Sequence, residues 1–395
     1  MRSSLWTRIK PGKTLLGMEI TEEEVKLCEL AADRSERPKV LAHASAQLPA
    51  GTMNDGRLQD AGKLEEALRG LLADTQWGTR RVHMAIPSQS VLVKVIHLPD
   101  VPDGQLDKLI RYELTHQVKL PFDRPYYDYT RLQKRATPTT TAAGVSQGER
   151  RSEKSKFRAL ATKDLSLSHW FRRSGHQEAA AARELGQHGE PLLAEVLVVA
   201  APMEMLEDYV RLLDRVGLVP QSFEIKAFSL MRLQEACMPL REASWILIDV
   251  NERTTDLTIV EHGVIRLTRN MELSFAQAAP PVSSLQANVL LSSLFSPDHA
   301  FANACQDLVS ELERLLTFYR YTLDNRHMDV SAIVLSGSLD RMDELADSLA
   351  VRTNRTVYRY ADGAVEWKES AWSAEREPTA AFAVPIGLAL RGEGA

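Results

Sequence analysis

Acidic and hydroxyl-bearing residues recur at the ends of short apolar runs in this chain, and the clearest set lies between Trp245 and Gly263. The run Trp245 to Val250 is apolar and closed by Asp249, with Asn251 just beyond it; Thr254 and Thr255 sit in the polar turn, and Asp256 to Val260 alternates as a returning strand. A carboxylate at the end of a buried strand, followed by turn hydroxyls, can hold a metal-bound phosphate by hydrogen bonds and through a hydrated Mg²⁺. A plainer reading, in which Asp249 only caps strand-turn hydrogen bonds, is equally open. Leu15 to Leu30 repeats the plan with Glu19, a polar turn from Thr21 to Glu24, and a return strand carrying Lys26. Two strand-acid-turn-strand units more than half the chain apart imply two lobes of similar plan facing each other across a cleft.

The elements that must position these residues follow from periodicity. Lys39 to Leu48 is a third strand, and Lys63 to Ala73 a helix with Leu64, Leu68, Leu71 and Leu72 on one face. Arg81 to Ile86 and Val91 to Leu98 are strands separated by Pro87. The helix from Asp103 to about Lys119 has Leu106, Leu109, Ile110, Leu114 and Val118 on one stripe. Tyr126 to Leu132 and Glu195 to Ala200 supply two more strands, completing a β-α-β-β module. Pro202 opens a helix that Gly217 and Pro220 stop; Gln221 to Ile225 is then a strand and Ala227 to Cys237 a helix. Further on come a helix from Asn303 to Leu323, a buried strand from Ser331 to Ser336, a turn at Gly337 and Ser338, and a helix from Asp340 to Ala350.

In their order and spacing, the two turns, Ile333 to Ala350, Ile110 to Leu132, Tyr209 to Leu233 and Phe382 to Gly392 resemble the PilM family of type IV pilus assembly proteins, within the actin-like ATPase superfamily and related to FtsA and GspL. The resemblance implies an α/β, two-lobed actin-like (ribonuclease H-like) ATPase fold with the β-α-β-β module inserted in lobe I. It divides the chain into 14–86 (lobe I, first part), 87–200 (the inserted partner-binding module), 201–243 (lobe I continued), 244–379 (lobe II) and 380–395 (a helix returning to lobe I). Within the module, 133–190 is rich in Thr, Ala, Arg, Gln, Ser and Gly and reads as a mobile insertion.

By the same resemblance, nucleotide would lie between the turns, touching Gly17, Glu19, Thr21, Glu22 and Lys26 on one side and Asp249, Asn251, Thr254 and Thr255 on the other. Gly337 and Ser338 would lie near the adenosine, and Asp249 would be a metal ligand only if Mg-nucleotide binds. The turns depart from the pattern: the first has Thr21 and Glu22 where Gly and Ser are usual, the second has Asn251 for Gly, and the adenosine turn has Ser338 for Gly. Glycines let amides reach phosphate oxygens. A carboxylate about 4 Å from a phosphate costs roughly 4 kcal/mol at an effective dielectric near 20. The expectation is therefore no cofactor and no ATP hydrolysis, with a Mg-ATP-binding switch or an active ATPase of the same machine as the alternative; Lys26 is either a family position or a solvent-facing strand residue. The resemblance further implies a scaffold on the cytoplasmic face of the inner membrane. It would hold the tail of a PilN-like membrane protein, alongside other pilus inner-membrane components, in a groove between lobe I and the module, lined by Arg111, Tyr112, Glu113 and Pro121.

Composition narrows the alternatives. A chain of 395 residues with 44% hydrophobic content can fill the cores of two domains. A net charge of −5 provides no global attraction to nucleic acid or anionic lipid. Cys28, Cys237 and Cys305 are far apart, which suits a reducing compartment better than a disulfide framework. No stretch has the roughly 20 apolar residues that span a bilayer, so membrane association would be peripheral and through the partner. TRIKPGKT, Thr7 to Thr14, lacks the first Gly of a Walker A loop and precedes a strand instead of following one. GVSQG, Gly144 to Gly148, lacks the strand and helix that a nucleophile elbow needs around Ser146.

Overall fold

The computed structural model describes residues 14–31, 37–132, 193–273, 275, 297–323, 329–360, 363–368 and 379–391. The 133–190 insertion, with Ser146, lies outside them. In chain order the strands of the first half are β1 (Leu15–Ile20), β2 (Glu24–Leu30), β3 (Lys39–Gln47), the short β4 (Met53–Asn54) and β5 (Arg57–Leu58), β6 (Arg81–Ile86), β7 (Leu92–Pro99), β8 (Pro125–Arg131), β9 (Leu193–Pro202) and β10 (Val219–Ile225). Their helices are α1 (Ala61–Asp74), α2 (Asp103–His116), α3 (Met203–Arg215) and α4 (Lys226–Cys237). The second half holds β11 (Ser244–Val250), β12 (Thr254–Glu261), β13 (Val264–Glu272), α5 (Pro297–Thr317), β14 (Ala332–Gly337), α6 (Met342–Thr353), β15 (Thr356–Arg359), β16 (Glu366–Trp367) and α7 (Ala383–Ala389).

Lobe I is built on a sheet in the order β10-β6-β1-β2-β3-β16. β1 is buried along its whole length because helices cover both faces. Leu16, Met18 and Ile20 pack toward α1 and α3, among Leu64, Leu68, Tyr209 and Leu213. The opposite face meets α7, which comes so close that a Cβ at Gly17 would lie 1.8 Å from the Pro385 carbonyl oxygen. Lobe II is built on β13-β12-β11-β14-β15, with the β11-β12-β13 meander antiparallel and β14 parallel to β11. One face of this sheet, with Ile246, Ile248, Leu257 and Ile259, packs on Leu308, Leu312 and Leu316 of α5 and Leu345 and Leu349 of α6. The other face, with Trp245, Leu247 and Val334, shares a continuous apolar cluster with Leu230 and Leu233 of α4 and Val384 and Ile386 of α7. The two lobes thus share a common core.

The inserted module is a sheet in the order β7-β9-β8, antiparallel throughout. Alternation along β7 and β9 divides its faces. Ile96, Leu98, Val196 and Val198 pack on Leu106, Ile110 and Leu114 of α2, whereas Val93, Val95, Leu197 and Val199 face the inter-lobe core. Arg266 on β13 then fastens the module to lobe II, its Nη1 2.5 Å from Glu195 Oε2 and its Nε 3.1 Å from Glu261 Oε2. One boundary differs from the expected division: 244–379 was assigned to lobe II, yet β16 runs parallel to β3 at the edge of the lobe I sheet. The chain recrosses before position 380 because the edge of β3 offers backbone partners there, with Lys368 N donating to Val40 O at 3.0 Å.

Candidate functional site

The cleft lies where the ends of β1 and β2 face the ends of β11, β12 and β14. On the lobe I side, Thr21 shapes the turn with its own side chain: its Oγ1 accepts from the amides of Glu23 (3.3 Å) and Glu24 (3.0 Å), and Thr21 N donates to Glu24 O at 2.9 Å. A turn that cradles phosphate points its amides at the ligand; here two of them are spent on a hydroxyl. Glu22 Oε1 accepts from Gly56 N at 3.3 Å. Gly17 is relocated in role, since its missing Cβ makes room for α7 and not for a ligand.

The charged centre of the cleft is formed by residues of both lobes. Lys26 is buried, not solvent-facing: its Nζ lies 2.9 Å from Glu24 Oε1 and 3.9 Å from Glu19 Oε2, and donates to Ser338 Oγ at 2.6 Å. Register explains part of this, because the β1-β2 hairpin places Glu19 directly opposite Lys26. Lys226, the first residue of α4, extends its Nζ to Glu19 Oε1 (3.0 Å), Asp249 Oδ2 (3.4 Å) and Asp256 Oδ2 (3.8 Å). Asp249 and Asp256 are themselves register partners on neighbouring strands, a like-charge pairing that is unfavourable without a cation between. Asn251 Nδ2 donates to Asp249 at 3.3 Å, and Asp256 accepts from Ser88 Oγ and Asn270 Nδ2, each at 2.8 Å.

Burial alone would depress the Lys226 ammonium, but the Glu19, Asp249 and Asp256 carboxylates around it hold its pKa above the ordinary lysine range. Burial, with Asp249 adding to it, pushes Glu19 up despite Lys226 and Lys26, and Asp256 up despite Lys226. Glu19, Asp256 and Lys226 are thus each made reluctant to give up a proton.

The remaining expected residues divide. Gly337 has φ +123°, and a Cβ there would lie 1.8 Å from Val250 O, so this glycine serves the close crossing of β14 and β11. Thr255 shares a strand face with Leu257 and Ile259; its Oγ1 is buried without a hydrogen-bond partner, so it points into the lobe II core and not the cleft. Thr254 is half-buried at the start of β12, its carbonyl accepting from Asn251 N at 2.9 Å.

A metal-bound phosphate does not fit these residues as they stand. The turn amides are taken by Thr21, Asp249 is paired with Lys226 and Asn251, and a lysine ammonium lies between the acids of the two turns. Lys226, Asp256, Ser88 and Asn270 were not expected from the sequence. The available signal was the hairpin register, which sets Asp249 opposite Asp256 and so calls for a cation.

The expected docking residues lie on or just beyond α2. Arg111 and Tyr112 are exposed, with Tyr112 stacked on His116 at 4.2 Å between ring centroids. Glu113 is half-buried and Pro121 exposed in the turn into β8. Arg111 lies 3.6 Å from Asp107, which accepts from the Tyr127 hydroxyl of β8 at 3.3 Å, so this face of α2 is tied to that strand. β8 stands at the edge of its sheet among the described residues. Its start abuts lobe I, with Met203 N donating to Arg124 O at 2.9 Å and Arg124 lying 3.8 Å from Glu204. No described helix is long and apolar enough to cross a membrane.

Residues 17–159 match the sequence profile of the family described as type IV pilus assembly protein PilM. Among solved structures, a chain of a PilM-PilN type IV pilus biogenesis complex is 21% identical, with a TM-score of 0.69, covering 96% of this chain and 98% of that one. The ethanolamine utilization protein EutJ of Carboxydothermus hydrogenoformans is 12% identical over 98% of this chain and 92% of that one, with a TM-score of 0.45. MreB5 of Spiroplasma citri bound to ADP is 8% identical over 96% and 95%, with a TM-score of 0.41. No curated protein matches the sequence. The chain shares the architecture of the PilM-PilN complex chain over nearly its whole length, and residues 17–159 carry the PilM family signature.

Proposed function

We propose that this protein is a scaffold of a type IV pilus assembly machine, or of a related secretion or competence machine, that docks the cytoplasmic tail of a PilN-like inner-membrane protein and does not hydrolyse ATP. The observation that carries the reading is where the PilM signature falls: residues 17–159 take in lobe I's first hairpin and β7, α2 and β8 of the module. An edge strand flanked by a helix face and the start of α3 suits an extended peptide, which would pair with β8 through its backbone and seat side chains near Arg111, Tyr112, Glu113 and Pro121. Such a partner would hold the protein at the inner face of the cytoplasmic membrane. The pairing of Lys226 with Glu19, Asp249 and Asp256 supports the non-hydrolysing half of the reading.

The test is fluorescence anisotropy of a labelled peptide corresponding to the cytoplasmic tail of the PilN-like protein of the same organism, with wild type and Tyr112→Ala. Saturable binding weakened about tenfold or more by the substitution is expected; that loss corresponds to roughly 1.4 kcal/mol. Absence of binding by the wild type defeats the docking assignment. Calorimetric titration with Mg-ATP tests the other half, and saturable micromolar binding would put an ATP-gated switch in its place.

A further inference from the structure

Several contacts at the mouth of the cleft run from one lobe to the other. Lys226 of lobe I reaches Asp249 and Asp256 of lobe II. Lys26 of lobe I donates to Ser338 of lobe II, whose own Oγ donates to Glu24 at 3.1 Å. Glu23 and Arg253, at the tips of the two facing turns, lie 3.3 Å apart. Ser88, at the entry to the module, donates to Asp256. Lobe II sets two aspartates opposite each other, and lobe I puts a lysine at the first turn of α4, where the helix dipole disfavours a cation and Glu19 of the same lobe offsets it. Joining the lobes gives Asp249 and Asp256 the Lys226 ammonium as their counter-charge and gives the lysine two further carboxylates.

We propose that Lys226, supported by Lys26 and the Glu23–Arg253 pair, is a built-in clamp that keeps the lobes closed, so the closed arrangement is the resting state and needs no phosphate-bearing ligand. In a two-lobed cleft, a ligand closes the lobes only through contacts it makes better with the closed form than with the open one. Here side chains of the protein make those contacts. The clamp also bears on the module, which meets lobe II through Ser88 and Asp256 and through Glu195 and Arg266 as well as through the shared apolar core. The inference concerns the cleft and stands apart from the docking assignment; a failed peptide titration would leave it unaffected.

The experiment is double electron-electron resonance on the full chain, with spin labels at Arg57→Cys in lobe I and Asp347→Cys in lobe II. Both positions are exposed. Cys237, the half-buried native thiol, is replaced by Ala; Cys28 and Cys305 are buried. The expected wild-type result is one narrow distance distribution, unchanged by Mg-ATP and by 1 M salt, since buried pairs are screened far less than surface ones. Lys226→Met removes the counter-charge, and its distribution should broaden and shift to longer values. Lys226→Arg keeps a cation and should restore the narrow distribution.

If Lys226→Met does not fold, the charge-relieved triple variant Lys226→Met, Glu19→Gln, Asp256→Asn serves in its place and should also broaden. Wild-type distributions from both Lys226→Met and the triple variant would overturn the proposal and assign closure to the shared apolar core alone. So would a wild type that narrows only when Mg-ATP is added.

Discussion

Gly17→Ala tests the role assigned to the first hairpin. In an actin-like reading of the sequence this glycine belongs to the nucleotide cleft, and its loss should affect ligand binding and little else. In the structure, an added Cβ would lie 1.8 Å from Pro385 O, 2.7 Å from Pro385 C and 3.0 Å from Ala389 N. All three atoms belong to backbone, so no side-chain rotation relieves the clash. Restoring an ordinary contact near 3.5 Å requires α7 to move by roughly 1.7 Å. That helix cannot retreat freely, because Gly387 on its other side is equally tight, with a Cβ there falling 2.0 Å from Ser229 O of α4. Overpacking typically costs about 1–3 kcal/mol, and a backbone-limited site between two pressed surfaces belongs at the upper end, about 3 kcal/mol. With a urea m-value of about 3 kcal/mol/M, the midpoint should fall by about 1 M. Gly70→Ala is the matched control: Gly70 lies inside α1 with nothing within 4 Å of an added Cβ, so alanine there should stabilise by up to about 1 kcal/mol. A Gly17→Ala midpoint equal to that of wild type would refute the packing argument.

Further expectations concern the buried polar cluster that anchors the C-terminal helix to lobe I. Arg391 and Arg232 both pair with Glu224, and Arg391→Ala, which leaves that carboxylate with only one guanidinium, should cost about 3 kcal/mol or more in urea unfolding. The same cluster sets acid sensitivity. Burial pushes the His83 imidazole down to about 3, so it is neutral in the fold; its contribution is fully present above the unfolded value near 6.5 and is lost progressively as pH falls from there toward 3. Glu224 has the usual carboxylate sense: burial would raise it, but Arg232 and Arg391 hold it at about 2, so its contribution is lost between the unfolded value near 4.3 and about 2. Unfolding free energies measured between pH 7 and 5 should therefore decline for wild type and stay flatter for His83→Gln; parallel profiles would rule out His83 as the source.

Much of the architecture was readable because it is written locally. Alternation set the strands of both hairpins, and the helix stripes at Leu64 to Leu72 and Leu106 to Val118 named their own core faces. The lobe II turn was found where it lies, but Thr255 faces the wrong way to be a ligand, since strand parity sends it to the core with Leu257. Thr21 was seen as a departure from a glycine; its hydroxyl's capture of two following amides is a short-range property of threonine in turns that the Thr-Glu-Glu-Glu run could have announced. Lys226 was not recoverable from its neighbours. A lysine opening a helix reads as solvent-exposed, and its burial depends on Glu19 and Asp256, brought to it from far along the chain on either side. Lys26 was left open as a surface residue for a related reason: only the meeting of the lobes places Ser338 over it. The early return of the chain at β16 escaped because a two-residue edge strand has no periodicity to read.

The order in which lobe I is assembled has a consequence for synthesis. β1 and β2 are among the first elements made, yet the helix that covers one face of β1 spans Ala383–Ala389, and the strand that extends β3 spans Glu366–Trp367. While the ribosome is still producing lobe II, the β1-β2-β3 sheet has its α7 face bare, including Cys28 and Leu30, which the finished protein buries. An apolar sheet face waiting for a partner more than 350 residues away is slow to complete and prone to wrong pairings. Synthesis of α7, and not the emergence of the first hairpin, is the event after which this face of lobe I can be covered.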